Sequence, residues 1–172
     1  MIYFITGGER SGKSRFAQDL ALKLSDHPVY LATARKWDGD FEKRIERHQT
    51  GRDARWQSIE EEVKISDAMV SEKVIVLDCI TLWLTNIFMD CKNNTAETLE
   101  FVIQELDRAF QKVSTLIVIS NEIGMGVHAA TEMGRKFTEL QGWVNQHIAE
   151  KADHAYLMIS GIPVKVKPSG IL

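Results

Sequence analysis

The stretch Gly7-Gly8-Glu9-Arg10-Ser11-Gly12-Lys13-Ser14 constrains this chain more than any other. It follows the apolar run Ile2-Tyr3-Phe4-Ile5 and precedes Ala17, Leu20, Ala21 and Leu24, which recur at helical spacing. Gly7, Gly12, Lys13 and Ser14 satisfy the pattern G-x-x-x-x-G-K-[ST] in the strand–loop–helix setting that the pattern requires. Glycines let backbone N–H groups close around phosphate oxygens. The helix that follows turns its positive end toward the same place. Lys13 then reaches the β- and γ-phosphates, and the Ser14 hydroxyl holds Mg²⁺. A bare glycine-rich turn is the competing explanation, and the flanking strand and helix weigh against it.

The 172 residues are expected to form one domain, 1–172, large enough for a substantial core. A net charge of −3 gives no broad basic surface for nucleic acid. The apolar runs are too short to span a bilayer, and Met1 leads directly into the first strand without a signal pattern. Cys79 and Cys91 lack metal-ligand spacing, so two free thiols in a reducing cytoplasm are expected.

Apolar runs alternate with helical periodicity along the chain. Strands are expected at Ile2 to Thr6, Val29 to Ala32, Val74 to Leu77, Leu116 to Ile119 and Ala155 to Ile159. Trp56 to Ile59 reads as a short extended piece, and Val164 to Lys167 as an edge strand with its lysines facing water. Helices are expected from Lys13 to Leu24, from Asp38 through Gln49, from Glu60 to Val70 and from Thr81 to Phe88. Two more carry Leu99 to Phe110 and Phe137 to Ile148. Such alternation predicts an α/β three-layer sandwich around a mainly parallel sheet. Ligands then sit at the carboxyl ends of the strands, where the glycine-rich loop, Thr33, Asp78 and Asn121 all fall.

Asp78 closes a buried strand, the usual place for a second acidic group that holds Mg²⁺ directly or through water. Its alternative is a strand-end turn. Arg44, His48 and Arg52 lie at i, i+4 and i+8, on one line of a helix. Arginines on either side attract phosphate and disfavour imidazolium, which leaves a ring nitrogen free to attack. Phe41, Ile45 and His48 share helical spacing too, so spacing alone also fits a histidine bordering the core. His27, His128, His147 and His154 carry no comparable pattern, and the four tryptophans read as core or interface. Neither N-K-x-D nor a D-x-x-G after the second strand is present, which disfavours a GTPase switch.

These segments together resemble one family. They are G-G-E-R-S-G-K-S, Tyr30-Leu31-Ala32-Thr33-Ala34, and Arg44-Ile45-x-x-His48-x-x-x-Arg52-x-x-x-Trp56-x-Ser58-x-Glu60. Leu77-Asp78-Cys79-Ile80-Thr81-Leu82-Trp83, Ser120-Asn121-Glu122-x-Gly124-x-Gly126 and Val144-Asn145-Gln146 complete the set. The family is the bifunctional adenosylcobinamide kinase/adenosylcobinamide-phosphate guanylyltransferase of cobalamin biosynthesis. Ser58 stands where threonine is commoner, and the hydroxyl is kept. The resemblance implies a RecA-like P-loop fold, a homotrimer, Mg²⁺, and two reactions. ATP or GTP phosphorylates adenosylcobinamide; GTP then donates GMP to that phosphate through a GMP–histidine intermediate, placed at His48. It also implies nucleotide contacts at Gly7 to Ser14, at Ala32, Thr33 and Ala34, at Gln49, Thr50, Gly51 and Arg52, at Glu60 and at Asp78. A plain small-molecule kinase, with His48 a bystander, is the main rival. A nucleotide-gated interaction module is the rival from another class.

Overall fold

The computed structural model describes residues 1–35 and 53–167. The segment carrying Arg44, His48, Gln49, Thr50, Gly51 and Arg52, and the helix expected there, lie outside the described residues.

A seven-stranded sheet runs through the described residues: β1 (Ile2–Gly7), β2 (Val29–Ala32), β3 (Gln57–Glu60), β4 (Val74–Asp78), β5 (Thr115–Ile119), β6 (His154–Ile159) and β7 (Ile162–Lys167). The spatial order is β3-β2-β4-β5-β1-β6-β7. Every pairing is parallel except β6 with β7. Four helices pack on it: α1 (Lys13–Leu24), α2 (Ile80–Asp90), α3 (Thr95–Lys112) and α4 (Glu132–Lys151). The mainly parallel α/β sandwich expected from the sequence is what forms.

The continuous apolar runs follow from burial on both sheet faces. Successive residues on a strand point to opposite sides. Phe4, Leu31, Ile75, Leu77, Leu116 and Val118 therefore pack against α2, α3 and α4. Tyr3, Ile5, Tyr30, Val76, Ile117 and Ile119 pack on the other side, against Ala17 and Ala21 of α1. Those two alanines are fully buried and four residues apart, so α1 lies close to the sheet and holds the phosphate loop at a fixed height. Leu24, expected on the same face, is exposed at the helix end. Asn94 caps α3 by accepting from the Glu97 N–H, and Thr131 caps α4 by accepting from the Gly134 N–H.

Two expectations need correction. The helix from Glu60 to Val70 does not form. Glu60 ends β3, and only Ile65–Ala68 coil, as a single 3₁₀ turn. Backbone groups here bond sideways to other elements instead of along a helix. Glu61 Oε1 accepts from the Val63 and Lys64 N–H groups, and Glu105 Oε1 from the Ser66 N–H. Lys112 Nζ donates to the Ser66 carbonyl. Second, β7 is an antiparallel edge strand, but only Lys165 faces water. Lys167 Nζ turns back to the Ala149 and Glu150 carbonyls, completing the unpaired end of α4.

Trp83 is fully buried and its Nε1 donates to the Val63 carbonyl at 2.9 Å. It clamps the 60–70 segment onto α2. Trp83→Phe keeps most of the apolar volume but orphans that carbonyl, a loss of about 1–3 kcal/mol. A urea unfolding midpoint lowered by that amount at unchanged slope is the expected reading.

Candidate active site

The sheet order sets β4, β5 and β1 side by side, so their carboxyl ends make one surface. Asp78 ends β4, Ser120-Asn121-Glu122 follow β5, and the glycine-rich loop follows β1. Gly7 has φ +150°, and a Cβ there would lie 2.6 Å from the Met158 carbonyl oxygen. Only glycine fits. Gly12 has φ +93° and heads α1 in the left-handed region. The Gly161 N–H donates to the Ser11 carbonyl at 2.9 Å, so the β6–β7 turn braces the loop from outside.

Lys13 is buried, and its Nζ donates to the Gly7 and Gly8 carbonyls at 3.0 and 2.7 Å. The ammonium is thus held in the mouth of the loop. Ser14 Oγ donates to Asp78 Oδ2 at 2.9 Å. Tyr30 OH donates to the same oxygen. Trp56 packs edge-on against Tyr30, with ring centroids 5.9 Å apart. The hydroxyl of Ser14 and the carboxylate of Asp78, predicted from 64 residues apart, therefore meet in space. Two oxygen donors of this kind suit Mg²⁺, which takes one or two protein oxygens and completes its shell with phosphate and water. No group of three or more His, Cys, Asp or Glu that could hold a metal forms among the described residues.

Other expected residues lie further along the same edge. Thr33 is fully buried, and its Oγ1 donates to the Cys79 carbonyl and accepts from the Cys79 N–H. Its hydroxyl joins β2 to β4. Asn86 Nδ2 fixes the Thr33 carbonyl at 2.8 Å. Arg35, next to Ala34, forks onto Asp90 and also reaches Glu62; both hydrogen bonds raise its pKa further above the ordinary guanidinium value. Glu60 ends β3, four strand spacings or about 19 Å from β1, but only two, about 10 Å, from Asp78, with Ala32 paired to both. The structure brings Lys13, Ser14 and Asp78 together, with Glu60 further along the same edge.

The sequence reading gives Tyr30 a place in a strand but no role, although a buried tyrosine hydroxyl needs a partner. Ser120 and Asn145 carry no role in it either, and Gln141 is not singled out. Gln141 Nε2 donates to Ser120 Oγ at 2.8 Å, Ser120 Oγ to Asn145 Oδ1 at 2.6 Å, and Asn145 Nδ2 to the Asn121 carbonyl at 3.2 Å. This network, together with Thr81 Oγ1 on the Asn121 N–H, fixes the loop after β5.

Comparison with known proteins settles the class. The family model described as cobinamide kinase / cobinamide phosphate guanyltransferase matches residues 3–166. The chain belongs to this family. The bifunctional adenosylcobalamin biosynthesis protein CobP of Pseudomonas aeruginosa is 34% identical, over 95% of each chain. The bifunctional adenosylcobalamin biosynthesis proteins CobU of Escherichia coli and Salmonella typhimurium are 31% and 34% identical, over 97% of this chain and 100% of theirs. Among solved structures, the flagellar accessory protein FlaH of Methanocaldococcus jannaschii has a TM-score of 0.47 at 16% identity, covering 98% of this chain and 78% of that one. Family membership favours the bifunctional enzyme over both rivals.

Within the family's site, Cys79 follows Asp78 directly and is fully enclosed. Burial, and then the Asp78 charge, push its thiol from 9.0 up to about 12. It is therefore no nucleophile at neutral pH. A raised pKa in the folded state leaves stability intact below pH 9 and removes it as pH climbs from 9 toward 12. Thiol titration at pH 8 should find Cys79 shielded in the folded protein and both cysteines reactive in denaturant. In the same site, Asp78→Asn removes one negative charge beside Ser14, and the Mg²⁺ concentration giving half-maximal phosphorylation should rise severalfold.

Proposed function

We propose that this chain, as a single domain over residues 1–172, carries out both of the family's transfers: phosphorylation of adenosylcobinamide by ATP or GTP, then transfer of GMP from GTP to the resulting phosphate. The observation that carries the first step is the meeting of Lys13, Ser14 and Asp78 at the end of β1 and β4. Phosphoryl transfer asks for positioning and charge neutralisation more than for covalent chemistry. Lys13 leaves its carbonyl partners for the β- and γ-oxygens. Loop N–H groups from Gly8 to Ser14, including those of Glu9, Arg10, Ser11 and Gly12, surround the chain of phosphates. Ser14 and Asp78 would hold Mg²⁺, which would supply positive charge against the β- and γ-phosphates. Tyr30 keeps the Asp78 carboxylate turned toward Ser14.

Guanylyl transfer needs attack at the α-phosphorus, hence a different nucleophile. We assign it to His48. A ring nitrogen forms the P–N bond as pyrophosphate departs; a phosphate oxygen of adenosylcobinamide phosphate then attacks, and the P–N bond breaks. Ala32, Thr33 and Ala34, with Gln49, Thr50, Gly51, Arg52 and Glu60, are the proposed contacts for that nucleotide. Support comes from the described ones: Ala32 ends β2, Thr33 and Ala34 follow it, and Glu60 ends β3, all on strands other than the β1 that leads into Lys13. Adenosylcobinamide and nucleotide are the partners. No helix among the described residues is long and apolar enough to cross a membrane. A cytoplasmic homotrimer completes the reading; the exposed Ile162, Val164 and Val166 of edge strand β7 offer an apolar face for self-association.

The deciding experiment uses GTP labelled at the α-phosphate and two variants. His48→Ala should retain no label on the denatured protein while still phosphorylating adenosylcobinamide. Lys13→Ala should lose phosphorylation by at least about a hundredfold. The adduct on the parent should be labile to acid and stable to base, as a P–N bond is. Label surviving in His48→Ala, or mapping elsewhere, would remove the assignment.

A further inference from the structure

A cleft of about 400 Å³ opens beside the phosphate loop, between residues 8–11, Glu122, Met125 and the turn at 157–160. Its position relative to the phosphates follows from Lys13. The Lys13 ammonium serves the β- and γ-phosphates, and it rests on the carbonyls of Gly7 and Gly8. Gly8 lines the cleft. The cleft therefore adjoins the part of the loop where Lys13 is held, beside the β- and γ-phosphates it serves.

Glu9 and Glu122 both line this space, and the Glu122 carboxylate has a fixed geometry. The Glu122 N–H donates to the Gly7 carbonyl at 3.0 Å, tying the residue to the first glycine of the loop. Glu122 Oε1 accepts from the Gly124 N–H at 2.7 Å. A Cβ at Gly124 would lie 3.2 Å from that oxygen, so the turn closes tightly on the carboxylate. Glu122 Oε2 has no hydrogen-bond partner among the described residues. Met125, Leu157, Met158 and Ile159 form an apolar wall opposite the polar loop residues Glu9, Arg10 and Ser11, and that wall suits a hydrocarbon arm.

Resting on the kinase reading above, we propose that this cleft receives the hydroxyl-bearing arm of the acceptor, and that Glu122 accepts the proton of the attacking hydroxyl. The hydroxyl oxygen forms a bond to the γ-phosphorus. The bond from that phosphorus to the β,γ-bridging oxygen breaks, its electron pair leaves on the nucleoside diphosphate, and the hydroxyl proton passes to the free Glu122 oxygen. Nothing else is consumed. A positioned base of this kind contributes typically a hundredfold or more.

Two substitutions in the full-length protein test this, with adenosylcobinamide, GTP and Mg²⁺ as reactants and parent unfolding temperature as a check on folding. Glu122→Gln should lower the kcat of phosphorylation by about a hundredfold while the KM for GTP stays within about twofold. Met125 is 78% exposed, so Met125→Asp should fold normally. It should raise the KM for adenosylcobinamide by about tenfold and leave the KM for GTP unchanged. A Glu122→Gln enzyme as fast as its parent overturns the role of Glu122. A Met125→Asp enzyme that loses affinity for GTP instead makes the cleft a nucleobase pocket and overturns the acceptor assignment. A parent that phosphorylates no adenosylcobinamide at all sinks the kinase reading, and this inference with it.

Discussion

The Asp78 carboxylate is the point on which the site's geometry depends. One of its oxygens receives two hydroxyls, from Ser14 at the start of α1 and from Tyr30 on β2. Three elements that are distant in sequence are thereby set in one relation. A carboxylate at a strand end, half out of water, gains most from donors that are already fixed. Ser14 is fixed by its helix, which is held down by Ala17 and Ala21; Tyr30 is fixed by the sheet and by Trp56. The surrounding apolar packing thus serves to aim three oxygens, and those oxygens define where phosphate charge can be neutralised.

Strand order offers room for the two chemistries that family membership assigns to the chain. Parallel strands present all their carboxyl ends on one edge, so a wide sheet offers several stations rather than one. The β1, β5 and β4 ends provide the station with the lysine, the hydroxyl and the carboxylate. Thr33, Arg35 and Glu60 lie further along the same edge, at the β2 and β3 ends. Thr33 ties that part of the edge to the β4 end by clasping both backbone polar groups of Cys79, the residue after Asp78.

Much of this was legible in the residues. Doubly buried strands announce themselves as unbroken apolar runs, and the glycine-rich loop fixed the first strand, the first helix and the ligand class together. Asp78 was legible because an acidic residue ending such a run has few other reasons to be there. What escaped reading were features that depend on distant partners. Glu60 to Val70 has helical composition, yet Glu105, Lys112 and Trp83 capture its polar backbone from other elements. Lys167 looked solvated because the end of α4 is not visible from β7. Tyr30 looked like core because periodicity records which face a side chain occupies, not what its far end touches. Glu122 sits in a loop without periodicity, and its meaning came only from the Gly7 carbonyl and the cleft beside it.

The bracing of the phosphate loop by the β6–β7 turn has a consequence for how the protein is made. Residues 7–14 leave the ribosome well before residues 158–161, but Gly7 takes its shape against Met158 and Ser11 bonds to Gly161. The central strand β1 likewise waits for β5 and β6 on its two sides. A growing chain therefore carries its nucleotide-binding letters long before it owns a nucleotide-binding site. Domains fold as units once their closing contacts exist, and here the contacts that close the loop come from β6 and the β6–β7 turn. The loop reaches its finished shape only once that turn has been made, so ligand capture waits on that part of the fold.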